Sequence, residues 1–160
     1  MSTQAYLQAE SAFTRLYRLG HLYSITAWDQ ATMMPPAGND ARGAALAELQ
    51  VLMHEQLTAP SLATALQQAA TEALTPAQQA SLREMRRDWE SANLLPAALV
   101  EAKALAGSRC EHAWRKQRAA NDWAGFLENF REVVRLSREE ARYLADAKGV
   151  SPYGALMDKY

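Results

Sequence analysis

The sequence is short of the features that mark several classes of protein, and each shortage excludes one of them. A single cysteine, Cys110, allows no intramolecular disulfide within the 160 residues and fits a reducing compartment. No apolar run approaches the roughly 20 residues that a membrane-spanning helix needs. The opening residues MSTQ also lack the basic start of a secretory signal. We therefore expect a soluble cytoplasmic protein without a membrane partner.

An excess of charge of either sign is missing too. Lysine and arginine number 17 against 18 aspartates and glutamates, which gives a formal net charge of −1. Because nucleic-acid binding depends on a basic surface that neutralises phosphates, this balance predicts no nucleic-acid partner. The apolar fraction of 49% is that of an ordinary globular protein with its own core.

Strand signals are absent, and the patterns that are present are helical. No stretch shows sustained two-residue alternation of β-branched residues, whereas alanine, leucine, glutamine, glutamate and arginine are frequent. The sequence predicts an all-α fold, a multi-helix bundle of about six to seven helices in one domain over 1–160. The first three predicted helices cover about 3–31, from a cap at Asn39 or Asp40 to about 57, and about 60–73. The fourth begins at the TPAQ capping box at 75–78 and ends before Leu95-Pro96, and the fifth covers about 96–120. The sixth runs from a cap at Asn121 or Asp122 to Gly149, and the last begins at Ser151-Pro152.

Two further expectations concern the ends of this arrangement. The last helix starts near 151 without a closing signal, so the sequence looks like a chain that breaks off within or just after it. The first helix should have one broad apolar face, and the four tryptophans should be core or interface anchors. The residues expected on that face are Leu7, Phe13, Leu16, Tyr17, Tyr23 and Trp28.

Residues that could carry chemistry are few. HEQLT at 54–58 starts like the zinc-protease signature, but that signature needs a second histidine where Thr58 stands. His21 and His112 have no close ligand spacing to His54, so the sequence predicts no metal site in this segment. Cys110 is followed by Glu111 and His112, whose side chains point away from it on a helix, which favours a packed thiol over a Cys–His pair.

A stripe of arginines is the one strong charge pattern. Spacings of four, three and four place these arginines on one helix face, and glutamates three or four residues away favour a solvated surface of salt bridges. A carboxylate-binding arginine is the alternative interpretation. The stripe consists of Arg131, Arg135, Arg138 and Arg142, and the glutamates are Glu128, Glu132 and Glu139.

Two stretches of motif residues together resemble one family. WDQATMMPPAGNDARGAALAELQVLMHE at 28–55 is similar to the W-D-x-x-T-x-M-P-P pattern, followed by an arginine-bearing helix, of the carboxypeptidase Taq metallopeptidases. The segment at 114–160 resembles that family's W-x-x-x-R-x-x-N-D-[FW] pattern and its later Y-x-x-L-x-D-x-Y pattern. The principal matching residues are Trp28, Asp29, Thr32, Pro35, Pro36, Arg42, Trp114, Arg118, Asn121, Asp122, Tyr153, Leu156, Asp158 and Tyr160.

The resemblance implies an almost all-helical metallocarboxypeptidase that releases C-terminal amino acids from peptides, commonly as a homodimer. Its cofactor would be a divalent metal, with zinc the expected ion. The family's H-E-x-x-H helix and its glutamate ligand come after the point where this sequence ends. No catalytic or metal-binding residue can therefore be transferred to this segment, which we expect to be inactive alone. A free-standing helical module for binding or dimerisation is the alternative.

The matching positions are expected to be structural rather than catalytic. Asp29 lies beside Trp28 near a helix end, where a carboxylate needs a partner, and Arg42 across the proline turn is the nearest candidate, with Arg115 or Arg118 as alternatives. A direct catalytic role for Asp29 is the less favoured interpretation. Thr32 is suited to satisfy backbone groups where the prolines break the helix.

Two expectations about packing follow from the same stretches. Pro35-Pro36 should form a sharp bend between two antiparallel helices, with Trp28 and Met34 buried nearby. The segment should also expose an apolar patch and self-associate through it, or cover it with a C-terminal segment that folds back. The expected edge of that patch is formed by Tyr153, Leu156, Met157 and Tyr160.

Overall fold

A computed structural model describes residues 3–157 as a helical bundle. Within these residues seven α-helices and one short 3₁₀ turn (Pro36–Gly38) form, and no strand does, which confirms the all-α prediction. The helices are α1 (Gln4–Thr32), α2 (Asn39–Leu57), α3 (Pro60–Ala69), α4 (Pro76–Asn93), α5 (Ala97–Ala119), α6 (Trp123–Lys148) and α7 (Pro152–Met157). The motif positions Asp158 and Tyr160 lie outside the described residues.

Local capping sets several helix ends as the sequence predicts. Thr75 accepts a hydrogen bond from the backbone N–H of Gln78, whose side chain accepts one from the N–H of Thr75, so the capping box before α4 is confirmed. Asp122 caps α6 by accepting from the N–H of Gly125 at 2.9 Å. Gly149 follows α6 in the left-handed conformation with φ of 65°, which glycine adopts without steric cost.

The end of α3 differs from the prediction for a tertiary reason. The helix ends at Ala69 instead of near 73, and its last turn tightens through bonds from Thr71 N to Gln68 O and from Glu72 N to Ala69 O. The Glu72 carboxylate then accepts hydrogen bonds from the backbone N–H groups of Ala5 and Tyr6, each at 2.9 Å. Since Thr3 makes no side-chain cap, Glu72 supplies the cap that α1 lacks.

The main core lies where α1 crosses α3 and α4. It is built largely from small and medium side chains, which lets the helices approach closely. Its buried members are Ala5, Tyr6, Ala9, Leu62, Ala65, Leu66, Ala69, Leu82 and Met85. A smaller cluster of Leu144, Ala145 and Ala155 holds α7 on α6. Between residues 3 and 157, no helix has the length and apolar character needed to cross a bilayer.

The prediction of a single apolar face on α1 is wrong. Phe13, Leu16 and Tyr23 are buried or half-buried, but Leu7, Tyr17 and Trp28 are exposed. The small residues Ala5 and Ala9 form the contact side instead, together with Leu16. Tyr6 is buried on this side as well, while Leu7, Tyr17 and Trp28 lie on the outer side of the helix.

Candidate functional site

The bend between α1 and α2 carries the first group of motif residues. The backbone N–H groups of Met33 and Met34 both bond to the carbonyl of Asp29, which ends α1, and Pro35 is extended with ψ of 144°. Gln30 bonds to Asn39 across the bend, so α1 and α2 run antiparallel as predicted. Proline has no N–H to continue a helix, and the residue before it is pushed out of the α region.

An ion pair joins the two sides of this bend. The guanidinium of Arg42 donates to the Asp29 carboxylate and to the carbonyl of Thr26, the latter at 3.3 Å. The side chains of Arg42 and Asp29 are 29% and 33% exposed, so the pair is half-buried. Thr32 donates to the carbonyl of Trp28 at 2.8 Å. Arg42 is the partner that the sequence suggested first for Asp29, and the pair fastens α2 to the end of α1.

Three expectations at the bend are wrong. Trp28, which was expected to be buried, is 62% exposed, and Met34 is only half-buried. The expected cap residue of α2 is also wrong, because Asn39 is the first residue of the helix and Gly38 precedes it without a side-chain cap. Asn39 is only 7% exposed, since its amide is turned toward α1 and α5.

A buried polar cluster behind the bend went unnoticed in the sequence. Gln30, which is 5% exposed, donates from Nε2 to Asn39 Oδ1 at 3.3 Å and to Ser108 Oγ at 2.7 Å. A Cβ on Gly43 would stand 2.8 Å from Ser108 Oγ, so α2 and α5 touch at this glycine. A glycine inside a helix is the sequence signal that pointed to such a close approach.

The turn between α5 and α6 carries the second group of motif residues. Asn121 has a positive φ of 52°, a conformation that asparagine tolerates better than most residues. Trp123 and Phe126 lie with ring centroids 5.5 Å apart, and Phe126 stacks on Phe130 at 5.1 Å. A cavity of about 200 Å³ opens beside them. It is lined by Trp114, Gln117, Arg118, Asn121, Asp122, Trp123 and Phe126.

The size of this cavity argues against a substrate pocket. Ligand pockets usually measure about 300–1,000 Å³, and the cavity at the turn is smaller. Arg118 is exposed, and Asp122 is engaged as the helix cap. Among residues 3–157, no hydrogen bond or ion pair joins this turn to the Asp29–Arg42 pair. The two groups of motif residues therefore form separate structural corners and not one site.

A larger cleft of about 530 Å³ lies between α1, α2, α4 and α5. His54 and Asp88 are on its wall with Tyr17 and Tyr23. Desolvation raises the pKa of the Asp88 carboxyl, while the charge of Arg87 lowers it and offsets part of that rise. The cleft has the volume of a binding site, but its surroundings are mostly apolar and its polar groups do not form a ligand set.

The remaining candidates stay isolated. Burial raises the pKa of the Cys110 thiol, whose residue is only 8% exposed, so this cysteine is a packed thiol. Arg135 bonds to Glu132 and Glu139, as the predicted salt-bridged surface requires. Within residues 3–157, no three histidine, cysteine, aspartate or glutamate side chains are grouped so that they could hold a metal ion. These residues therefore do not fit a metal centre.

The chain matches one class of enzyme in sequence and in structure. The chain belongs to the carboxypeptidase Taq (M32) metallopeptidase family, whose model matches residues 8–160. It is 34% identical to thermostable carboxypeptidase 1 of Thermus thermophilus over 94% of this chain and 30% of that protein.

Two solved structures resemble it over nearly its whole length. Metallocarboxypeptidase 1 of Trypanosoma cruzi matches 99% of this chain with 45% identity and a TM-score of 0.78, over 32% of its own chain. The carboxypeptidase of Pyrococcus furiosus matches with 27% identity and a TM-score of 0.76, also over 32% of its chain. The chain thus spans about a third of the length of the relatives that it matches.

Proposed function

We propose that this chain is the N-terminal helical region of a metallocarboxypeptidase that releases C-terminal amino acids from peptides. The observation that carries the proposal is the match of 94% of the chain to a relative named thermostable carboxypeptidase 1. A divalent metal, with zinc as the expected ion, would supply the activation of water in the full-length enzyme. Because residues 3–157 fit no metal centre, no catalytic step is assigned to them.

The role proposed for this region is structural support of the enzyme. Asp29 and Arg42 hold the bend between α1 and α2, and Gln30 and Ser108 fix that bend on α5. The motif residues at the α5–α6 turn hold the start of α6, where Asp122 is the cap. In this proposal the motif positions keep the helices in place and do not touch substrate.

A chimera tests both parts of the proposal. In it, this chain replaces the matching segment of Trypanosoma cruzi metallocarboxypeptidase 1, and release of C-terminal amino acids from a peptide is measured. We expect an active chimera, and an isolated chain that releases nothing with or without added zinc. Asp29→Ala should lower the thermal stability of the chimera and leave kcat per folded molecule unchanged. An inactive but folded chimera, or metal-dependent cleavage by the isolated chain, would contradict the proposal.

The second candidate is a free-standing helical module that binds a partner or dimerises. Fourteen exposed large apolar side chains among the described residues favour it, Tyr153 and Met157 of α7 included. The proposed metallocarboxypeptidase would also be a homodimer in its full-length form and cytoplasmic. The single cysteine supports the cytoplasmic location. Light scattering of the isolated chain tests this second candidate. A stable dimer of the isolated chain, together with an inactive chimera, would favour it.

A further inference from the structure

The second half of α1 is apolar on two opposite sides. Its inner side packs on α2 and α3, with Leu16 buried and Ala27 half-buried. Five exposed apolar side chains lie on the opposite side and are called the outer face. They are Tyr17, Leu22, Ile25, Trp28 and Met33, which are 77%, 56%, 52%, 62% and 70% exposed. At about 100° per residue, these five side chains lie within an arc of about 160° centred on Ile25. Large apolar side chains on the solvent side of a helix are typical of a surface that another element covers in a larger protein.

The outer face also has little charge. Between Leu16 and Met33 the only formally charged residues are Arg18 and Asp29. Both lie within the arc of the outer face, and Asp29 is paired with Arg42. At exposed fractions between 52% and 77%, these five large side chains together present roughly 600 Å², which is the upper end of the largest patches on monomers.

The accessible surface of the chain is larger than that of a compact protein of the same mass, which points to a large uncovered interface. A folded chain of 17.7 kDa is expected to expose about 8,000 Å², whereas this one exposes 10,229 Å². The difference of roughly 2,000 Å² is well above the approximately 800 Å² that each partner buries in a standard interface, and is of the size found in permanent assemblies.

The comparisons identify that partner. Nearly the whole chain matches relatives of which it covers only 30–32%, so about two thirds of each relative is further chain. We propose that the outer face of α1 docks against the part of a carboxypeptidase Taq chain that lies outside the segment represented here. This inference rests on the proposed function, and it adds which surface makes the contact.

The test compares one substitution in two settings. Ile25→Asp is introduced into the isolated chain and into the chimera with Trypanosoma cruzi metallocarboxypeptidase 1. Ser11→Asp, at an exposed position on the first half of the same helix, is the matched control. Because a charge buried in an apolar contact is costly, Ile25→Asp should lower the thermal midpoint of the chimera by about 5 °C or more. In the isolated chain it should change the midpoint by less than about 2 °C, as Ser11→Asp should in both settings.

Each other outcome overturns either the docking or the proposed function. An active chimera in which Ile25→Asp and Ser11→Asp have equal effects would overturn the docking and leave the proposed function standing. If the chimera is inactive, the proposed function fails, and the docking is decided in the Trypanosoma cruzi enzyme itself by the substitution at its residue aligned with Ile25. If that substitution leaves the stability of the Trypanosoma cruzi enzyme unchanged, the docking is overturned. A wild-type chain that is dimeric while Ile25→Asp is monomeric would show that the outer face receives a second copy instead.

Discussion

Removal of the Glu72 carboxylate is expected to destabilise the start of α1. Glu72 accepts from the N–H groups of Ala5 and Tyr6 at 2.9 Å each, and no side chain of α1 itself caps these groups. A hydrogen bond to a charged group is worth about 1.5–3 kcal/mol, but water reaches the half-buried Glu72 and replaces part of that loss. We therefore expect Glu72→Ala to cost about 2 kcal/mol, the upper end of the range measured for helix caps.

Thermal unfolding followed by circular dichroism measures this effect. For a chain of this size about 1 kcal/mol corresponds to about 2–4 °C, so the midpoint should fall by about 4–8 °C. Glu90→Ala is the matched control, because Glu90 is an exposed glutamate on α4. Glu72→Gln should lose at least half as much stability as Glu72→Ala, since its amide NH₂ cannot accept from the second N–H group. If Glu72→Ala and Glu90→Ala have the same midpoint, Glu72 does not cap α1.

Two further predictions concern α5. Gly43→Ala should lower the free energy of unfolding in urea by about 1–2 kcal/mol, because its Cβ would force Ser108 Oγ away from Gln30. This loss is expected although alanine favours a helix more than glycine does. A gain in stability would show that α2 and α5 are not in close contact. Cys110 should react with a thiol reagent at pH 8 at least about tenfold more slowly in the folded chain than in guanidinium chloride, because burial raises the pKa of its thiol and restricts access. Equal rates would contradict the burial of this thiol.

The helices could be predicted from the sequence because their signals are local. The capping box at Thr75 and Gln78 and the left-handed Gly149 depend on residues a few positions apart. The pairing of Asp29 with Arg42 was accessible for a similar reason, since the proline bend brings two nearby segments together. Propensity and short-range hydrogen bonds act within this distance along the chain.

The wrong expectations involve tertiary contacts that the local sequence pattern does not specify. Asn39 has the side chain of a helix cap, but a buried amide from Gln30 competes for it. Trp28 was expected in the core because large aromatic residues usually are, yet other residues occupy the inner side of α1, namely Ala5, Tyr6, Ala9 and Leu16. Glu72 gave no local signal, since its hydrogen bonds reach residues 66 and 67 positions earlier.

The cap that Glu72 provides has a consequence for synthesis on the ribosome. Ala5 leaves the ribosome 67 residues before Glu72 does. At about 5–20 residues per second, the start of α1 waits roughly 3–13 s for its partner. During that time the alanine-rich inner side of α1 has neither its cap nor α3 to cover it. The nascent chain therefore displays this side to chaperones, and slow codons before Glu72 would lengthen the exposure.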